Sequence, residues 1–457
     1  MLIVFFCRSE LTRLYSKIAN NLNDSSFRFI AYTSEDQKKL ISDGWCKTII
    51  DNLEDGLKAA LHEASDEADL DREIMLATEN EFTLTKSIFA DRALKRIDFS
   101  AARKQSLLIY SFWKNYVETF RPDFVIHEPC TLSINFIGAC ILKNRDARMI
   151  AFIQLNGFLD SHFAVVDAIT GGFIDYNEAK NGLEYIKRLQ KNSQLKWHKS
   201  QPLLVSRLMY SMFSIFKNIK KAPNDSYHNI VNNYLIWESS KISNVANLLI
   251  RDLFVRKSRN LDGLKYYFYP LHIEPESTVL YWGKYSYNDQ IALIKLIAAN
   301  LPSDTVLIVK DHPHLIGYRN FRDYHSISAL PNVILVPVQM NSSYLIKNSL
   351  GIITINGTAG IEALMHSKPV LCFGNIYYSH LKGCQNFLSE RDFTRFFKGI
   401  EVDSEEALNY YVSHSLSGFT SYFPSSLKKN KGLDEERNAK EVTDNLEGVL
   451  KSALSFG

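Results

Sequence analysis

A glycine-containing turn in the C-terminal half is the first stretch whose residues could bind a ligand. The turn consists of Asn356, Gly357, Thr358, Ala359 and Gly360. Apolar patterning predicts a buried strand over residues 352–355 before the turn, and a helix over residues 361–366 after it. Backbone amides at a helix N-terminus bind anions, and glycine allows close approach. We predict a phosphate here; tight packing of helix on strand, with no ligand, is the alternative left open.

A second candidate follows another predicted strand, over residues 306–310. Lys310 ends this strand, and His312 and Pro313 come just after it. The carboxyl ends of the strands in a parallel sheet lie at one edge of the sheet. Pro313 fixes the local backbone. The imidazole of His312 can donate to a phosphate oxygen. The alternative is a structural histidine that the backbone satisfies. Taken with the glycine turn, His312 predicts one anion site at two strand ends.

Three carboxylates near these segments are candidates for contacting a nucleotide. Glu274 and Glu276 flank a proline in an extended segment, and Glu362 lies in the first turn of the helix that follows the glycine turn. Each could accept hydrogen bonds from ribose or base. The alternatives are solvated loop charge for the first two, and complementation of the helix dipole for Glu362.

The N-terminal half offers a different set of carboxylates. Glu128 follows a predicted strand over residues 124–127, while Asp160 and Asp167 lie in a later segment. Any of them could serve as general base or nucleophile. A single carboxylate is more often structural, but we expect one of the three to act in a cleft. The sequence has no P-loop, HExxH, GxSxG or GxGxxG motif, so hydrolase and dehydrogenase signatures are absent.

Strands and helices alternate in two long regions, which predicts an α/β protein with two Rossmann-type parallel sheets and a cleft between their strand ends. The first α/β domain is predicted over residues 1–180 and the second over residues 261–400, whose first strand we place at residues 279–282. A basic helical insertion is predicted at residues 181–260 and a helical tail at 401–457. Lysines between residues 187 and 221 could contact an anionic membrane; we favour solvated lysines on a packed insertion.

Composition limits the function classes. The 457 residues are 46% hydrophobic and 23% charged with net charge +3, typical of a soluble globular protein and not of one that binds nucleic acid. Six cysteines are scattered without metal spacing, which indicates reduced thiols. No apolar run is long enough to span a bilayer. We expect a cytoplasmic protein, with peripheral contact at the inner membrane face left open.

Four consecutive runs carry a resemblance: KYYFYPLHIEPEST, LPSDTVLIVKDHPHLIGYR, LPNVILV and LIKNSLGIITINGTAGIEALMHSKPVLCFG. They resemble the bacterial capsule polysaccharide synthesis and export family, which includes retaining β-Kdo transferases and is distantly similar to bacterial sialyltransferases. The resemblance implies a metal-independent GT-B glycosyltransferase that uses a CMP-activated sugar such as CMP-Kdo and needs no other cofactor. It implies that His312, in the family's His-Pro motif, and the 356–360 turn contact the donor phosphate.

The N-terminal resemblance is thinner and includes departures. NGFLDS resembles the family's acidic-Asp-Gly-Phe-Leu-Arg-Ser run, but Leu155 and Asn156 replace the acidic pair and Asp160 replaces the arginine. The catalytic carboxylate is then lost, or is supplied by Glu128, Asp160 or Asp167. We expect a transferase of surface polysaccharide synthesis whose partners are a nucleotide sugar and a glycan or glycolipid acceptor. A UDP-sugar transferase and a non-catalytic scaffold of a capsule assembly complex are the alternatives.

Overall fold

The computed structural model describes nine ranges of the chain. These are residues 1–23, 25–62, 66–155, 162–174, 253–255, 261–273, 278–312, 319–420 and 432–455. They form two compact units, the first from residues 1–174 and 411–455 and the second from residues 253–410. The predicted insertion at 181–260 lies outside the described residues except for 253–255.

The first unit is built on a seven-stranded sheet in the order β13-β6-β5-β4-β1-β2-β3. Its strands are β1 (Leu2–Cys7), β2 (Ser26–Ala31), β3 (Ile50–Asn52), β4 (Phe124–His127), β5 (Arg148–Gln154), β6 (His162–Asp167) and β13 (Leu416–Ser417). β1 to β5 are parallel, whereas β6 and β13 are antiparallel to their neighbours. The chain winds outward from β1 to β3 and restarts at β4, so the topological switch point lies between β1 and β4.

Helices connect these strands. They are α1 (Leu11–Asn21), α2 (Ser34–Ser42), α3 (Leu53–Ala60), α4 (Glu67–Ala77), α5 (Leu84–Ala90), α6 (Phe99–Phe120) and α7 (Ser133–Lys143). The β1–β4 switch point is lined by the residues that follow the two strands, Arg8 and Glu128. Ligands in doubly wound sheets bind at such points, so this is where a functional side chain of the first unit is expected.

The C-terminal segment completes the core of the first unit. After a helix over Ser404–Ser413 and strand β13, a helix over Glu435–Ser455 packs against α1. Val442, Leu446 and Leu450 of this helix join the same buried cluster as Leu14 and Ile18 of α1. Full burial of such a side chain contributes about 1.5–3 kcal/mol, so this helix is a major part of the unit's stability.

The second unit contains a six-stranded sheet in the order β12-β11-β10-β7-β8-β9, with every pair parallel. Its strands are β7 (Tyr266–Pro270), β8 (Val306–Lys310), β9 (Val333–Val336), β10 (Gly351–Thr354), β11 (Val370–Cys372) and β12 (Cys384–Asn386). Its helices are α8 (Gln290–Asn300), α9 (Phe321–Ser328), α10 (Ser342–Asn348), α11 (Ala359–Met365) and α12 (Arg391–Phe397). Further along the described residues lie the helices α13 (Ser404–Ser413) and α14 (Glu435–Ser455). The switch point here lies between β7 and β10.

One predicted strand of the second unit is wrong. Residues 279–282 belong to a π-helical turn over Thr278–Trp282, and the first strand is the aromatic run β7. A buried apolar run of four residues fits a strand or a helical turn equally well, and periodicity cannot distinguish them. The run Tyr266-Tyr267-Phe268-Tyr269 carries the stronger strand propensity.

The predicted fold class is confirmed: each unit is α/β, and parallel pairing dominates both sheets. Among the described residues, no helix is both long enough and apolar enough to cross a membrane.

Candidate functional site

His272, which the sequence analysis did not single out, lies at the switch point of the second unit. It follows β7, and its Nε2 accepts hydrogen bonds from the amides of Ile355 (3.1 Å) and Asn356 (3.3 Å), with the Thr354 hydroxyl 3.2 Å away. Because amides only donate, Nε2 is unprotonated and the ring proton is on Nδ1. Burial, reinforced by the charges of His312 and Arg319, lowers the pKa of His272 to about 3. The imidazole is therefore neutral and joins β7 to the end of β10.

The backbone of His272 is fixed by two further side chains. Its N–H donates to Oε1 of Gln290 (2.8 Å), and its carbonyl accepts from Nε2 of Gln290 (3.2 Å) and from Nη2 of Arg319 (2.7 Å). The Tyr269 hydroxyl also donates to Gln290. Since these groups are buried and hydrogen-bonded to each other, the imidazole has little freedom to rotate away from the amides.

Asp311 connects His272 to the segment that carries His312. Its Oδ1 accepts from Nε of Arg319 (3.2 Å) and from the backbone amide of His312 (2.8 Å), and its other oxygen accepts from the Tyr324 hydroxyl. His312 is close enough to His272 for its charge to lower the pKa of that residue. The end of β8, which carries His312, and the end of β10 share one edge of the sheet, but they are separated by β7 and are not neighbouring strand ends as predicted.

Lys310 and Glu362 are a second buried pair at this edge. Nζ of Lys310 donates to the Met340 carbonyl (2.9 Å) and to Oγ of Ser342, and Oε1 of Glu362 accepts from Oγ of Ser343. Burial lowers the pKa of Lys310 to about 8, an effect that the Glu362 charge opposes. Burial also raises the pKa of Glu362. Lys310 therefore keeps a positive charge at neutral pH and can lose it in mildly alkaline solution.

Three backbone amides of the 356–360 turn already donate to acceptors within the protein, which the sequence does not indicate. His272 accepts from the amide of Asn356, the Gly357 amide donates to Oγ1 of Thr354 (3.0 Å), and the Gly360 amide donates to the Gly357 carbonyl (3.0 Å). Only the amides of Thr358 and Ala359 find no acceptor within the described part of the chain. Within the described residues, the turn therefore has two backbone donors without an acceptor, and not a whole loop of them.

Tight packing explains why Gly360 is a glycine. A Cβ at this position would lie 2.4 Å from the hydroxyl of Tyr378, which donates to the Gly357 carbonyl. Gly360 therefore serves packing, which is the alternative left open from the sequence, while phosphate binding by the turn stays a prediction.

In the first unit, Glu128 forms a nearly buried ion pair with Arg8 across the β1–β4 switch point. The neighbouring His127 is fully buried, and burial followed by the charge of Arg8 lowers its pKa well below the ordinary value. Asp167 is not brought to this point. Its Oδ1 accepts from the amides of Ile169 (3.0 Å) and Thr170 (2.8 Å) in a turn at the amino-terminal edge of β4 and β5.

Four predicted site residues lie outside the described residues: Asp160, Glu274, Glu276 and Pro313. Within the described ranges, no group of three or more His, Cys, Asp or Glu side chains is arranged to hold a metal ion. His272 was overlooked because the strand before it, β7, was not predicted. Its position directly after an aromatic run that ends in Pro270 is the signal that could have identified it.

Comparison with known proteins identifies related sequences over the C-terminal half. Residues 184–386 match the family model "Capsule polysaccharide biosynthesis protein". The capsule polysaccharide modification protein LipB of Neisseria meningitidis serogroup A is 26% identical over 187 residues, which cover 39% of this chain and 44% of LipB. The capsule polysaccharide export protein KpsS of Escherichia coli is 30% identical over 141 residues, 29% of this chain and 35% of KpsS. The chain spans less than half the length of these relatives.

Among solved structures, the β-Kdo 2,7 transferase KpsC of Thermosulfurimonas dismutans aligns with 74% of this chain and 88% of its own, at 11% identity and a TM-score of 0.33. That similarity is too low to support a conclusion about fold or activity. The match to the family model is a match of sequence, and it spans the strands β7 to β12 of the second unit. The resemblance inferred from the sequence is confirmed: residues 184–386 match the family of capsule polysaccharide biosynthesis proteins.

Proposed function

We propose that the protein is a glycosyltransferase of bacterial surface polysaccharide synthesis. The donor would be a CMP-activated ulosonic acid, Kdo or a close relative, and the acceptor a glycan or glycolipid. The observation that supports the proposal is that Lys310, His312 and the amides of Thr358 and Ala359 follow the carboxyl ends of β8 and β10, on either side of β7, within the segment that matches the capsule family. The donor class itself rests on the resemblance.

In this proposal each group of the second unit has a separate role. Lys310 and the two amides hold the donor phosphate, and His312 donates to the oxygen that gains charge as the sugar leaves. Removal of a single donor that stabilises such charge typically costs about 10²–10³ in kcat. Glu362 accepts from the ribose. His272 is a positioning residue, because its Nε2 accepts from the amides of Ile355 and Asn356. These hydrogen bonds hold the end of β10 beside the end of β7.

In the first unit, Glu128 is our candidate for the carboxylate that acts on the acceptor. It forms an ion pair with Arg8 in a nearly buried location. We propose no resident metal, because carboxylate and imidazole chemistry with basic phosphate-binding groups is sufficient for this type of transfer, and we expect turnover to persist in EDTA.

Calorimetric titration with CMP, UMP and GMP, followed by CMP release from CMP-Kdo in the presence of capsule oligosaccharide, tests the assignment. We expect CMP to bind at least tenfold more tightly than UMP or GMP, and His312→Ala to lose more than 100-fold in turnover. His325→Ala, an exposed histidine of the same unit, is the matched control and should retain wild-type turnover. Preference for UMP would overturn the donor class, and absence of nucleotide binding would favour the scaffold.

A further inference from the structure

A cavity opens at the amino-terminal edge of the sheet in the first unit, opposite the edge that carries Arg8 and Glu128. Its volume is about 920 Å³, and it lies where β4 and β5 begin, beside the turn that follows β6. Pockets that bind small molecules commonly measure about 300–1,000 Å³. Asp123 lines the cavity and Glu128 is five residues further along the chain, so about 16 Å of extended strand separates them. The cavity is therefore distinct from the β1–β4 switch point.

Charged side chains of both signs line this cavity and are accessible to a ligand. Lys143, Asp146 and Arg148 are exposed, and Nζ of Lys143 donates to the Ala77 carbonyl (2.8 Å). Within the described ranges, the side chains of Asp146 and Arg148 form no hydrogen bond or ion pair. Oδ1 of Asp167 accepts from two amides of its own turn, whereas its Oδ2 has no partner in the part of the chain that the structure describes. The cavity thus offers a guanidinium that can donate and carboxylate oxygens that can accept.

The rest of the lining is mostly apolar, and it includes Phe124, Met149, Ile169, Ile174 and Leu454. A ligand that carries a strong charge of one sign would meet a like charge in this cavity, because both signs are present. A sugar has hydroxyls that both donate and accept, and C–H groups on the faces of its ring. It can therefore use the charged and the apolar parts of the lining together.

We propose that this amino-edge cavity, defined as Lys143, Asp146, Arg148, Met149, Asp167 and Ile174, binds an internal segment of a glycan chain. Arg148 donates to sugar hydroxyls, the two carboxylates accept from them, and the apolar side chains contact the C–H groups. The choice of a surface polysaccharide as this glycan rests on the proposed function. A glycan that reaches from the cavity to the β1–β4 switch point is held at two places, so its affinity should increase with chain length.

Calorimetric titration of the full chain with two capsule oligosaccharides, a disaccharide and a decasaccharide, tests the cavity without any turnover. We expect the decasaccharide to bind at least tenfold more tightly than the disaccharide. Arg148→Glu and Asp146→Asn should each weaken decasaccharide binding at least fivefold and leave disaccharide binding within twofold of wild type. Lys104→Glu on α6 and Asp444→Asn on α14 make matching changes of charge at exposed positions outside the cavity, and should stay within twofold of wild type for both ligands.

Hydrogen exchange on the wild-type chain remains decisive if a variant fails to fold. The decasaccharide should slow amide exchange in residues 143–147 and 168–172, whereas CMP alone should not. Absence of this protection, equal binding of the two oligosaccharides, or wild-type affinity in Arg148→Glu would each overturn the proposal. Nucleotide titration on the same samples separates the two proposals. Protection of the amino-edge cavity without CMP binding would remove the transferase and keep the cavity, while CMP binding without that protection would do the reverse.

Discussion

Nε2 of His272 lies 3.1 Å from the amide nitrogen of Ile355, so a neutral imidazole and not a ligand occupies the end of β10. This contact defines which groups of the second unit are free to bind a phosphate. It also makes the site sensitive to substitutions that leave every ligand-facing residue unchanged.

His272→Ala should destabilise the second unit, because two buried amides lose their acceptor at about 1–3 kcal/mol each. His272→Gln should recover part of this loss, since its side-chain oxygen can reach the position of Nε2. Urea denaturation, followed by hydrogen exchange of β7 and β10, measures both effects. His325→Ala, at an exposed position, should stay within about 0.5 kcal/mol of wild type. Equal stability of the alanine and wild-type proteins would remove the structural role of His272.

Acid should destabilise the second unit through the same residue. Its pKa is about 3 in the folded chain against an ordinary 6.5, so the unfolded state binds more protons between these values. The stabilisation is complete above pH 6.5 and declines as the pH falls from 6.5 towards 3. Hydrogen exchange of β10 measured at pH 4 to 7.5 should show this loss. In His272→Gln the slope should be smaller; an unchanged slope would contradict the assignment of a neutral imidazole.

Nucleotide affinity should fall in mildly alkaline solution. Because the pKa of Lys310 is about 8, its ammonium is largely deprotonated by pH 9, and the charge that we propose holds the donor phosphate is lost. CMP titrations between pH 6.5 and 9.5 should show a decline centred near 8 in the wild-type protein. Lys310→Met should bind weakly across the whole range and show no such decline. Lys295→Met, at an exposed position, is the control, and a decline that persisted in Lys310→Met would assign the titration to another group.

Gly360→Ala should destabilise the turn by about 1–3 kcal/mol, because the new methyl group would overlap the Tyr378 hydroxyl. The ring carbons Cζ and Cε2 of Tyr378 would also lie within 2.7 Å of the new Cβ, so the overlap is relieved only by a change that removes the ring, such as Tyr378→Ala. The double variant should therefore be more stable than the sum of the single changes predicts. Thermal or urea unfolding gives the coupling energy. At Gly432, by comparison, the space around an added Cβ is open and alanine should be tolerated. A strictly additive double variant would exclude this contact as the cause.

Arg8→Gln should destabilise the first unit by about 3–5 kcal/mol, because it leaves the Glu128 carboxylate nearly buried without its partner. Glu128→Gln in the same chain should restore most of that stability while abolishing turnover, if Glu128 is the acceptor carboxylate. Unfolding and CMP release on the single and double variants separate the structural effect from the chemical one. Full turnover in the double variant would exclude Glu128 from the reaction.

The sequence predicted the parallel sheets because strands such as β8 and β10 are uninterrupted apolar runs between helices. It also placed Lys310, His312 and the 356–360 turn at one edge of the sheet, since parallel strands end at a common edge, but it could not show that β7 separates β8 from β10. Occupation of the turn's amides by His272 could not be predicted, because it depends on a contact between residues 83 positions apart. From the sequence, Asp167 and Glu128 were equal candidates, because each lies at the end of an apolar run. The structure separates them: β6 is antiparallel to β5, so Asp167 lies at the opposite edge of the sheet from Glu128.

The packing of α14 on α1 has a consequence for biosynthesis. The second unit is formed from an unbroken stretch of described strands and helices, so its sheet can assemble while later residues are still being translated. The first unit cannot, because Val442, Leu446 and Leu450 must reach α1 before its core is sealed. During translation, one apolar face of the N-terminal sheet therefore stays exposed until Val442, Leu446 and Leu450 have been synthesised. We expect chaperones to bind the first unit during this interval.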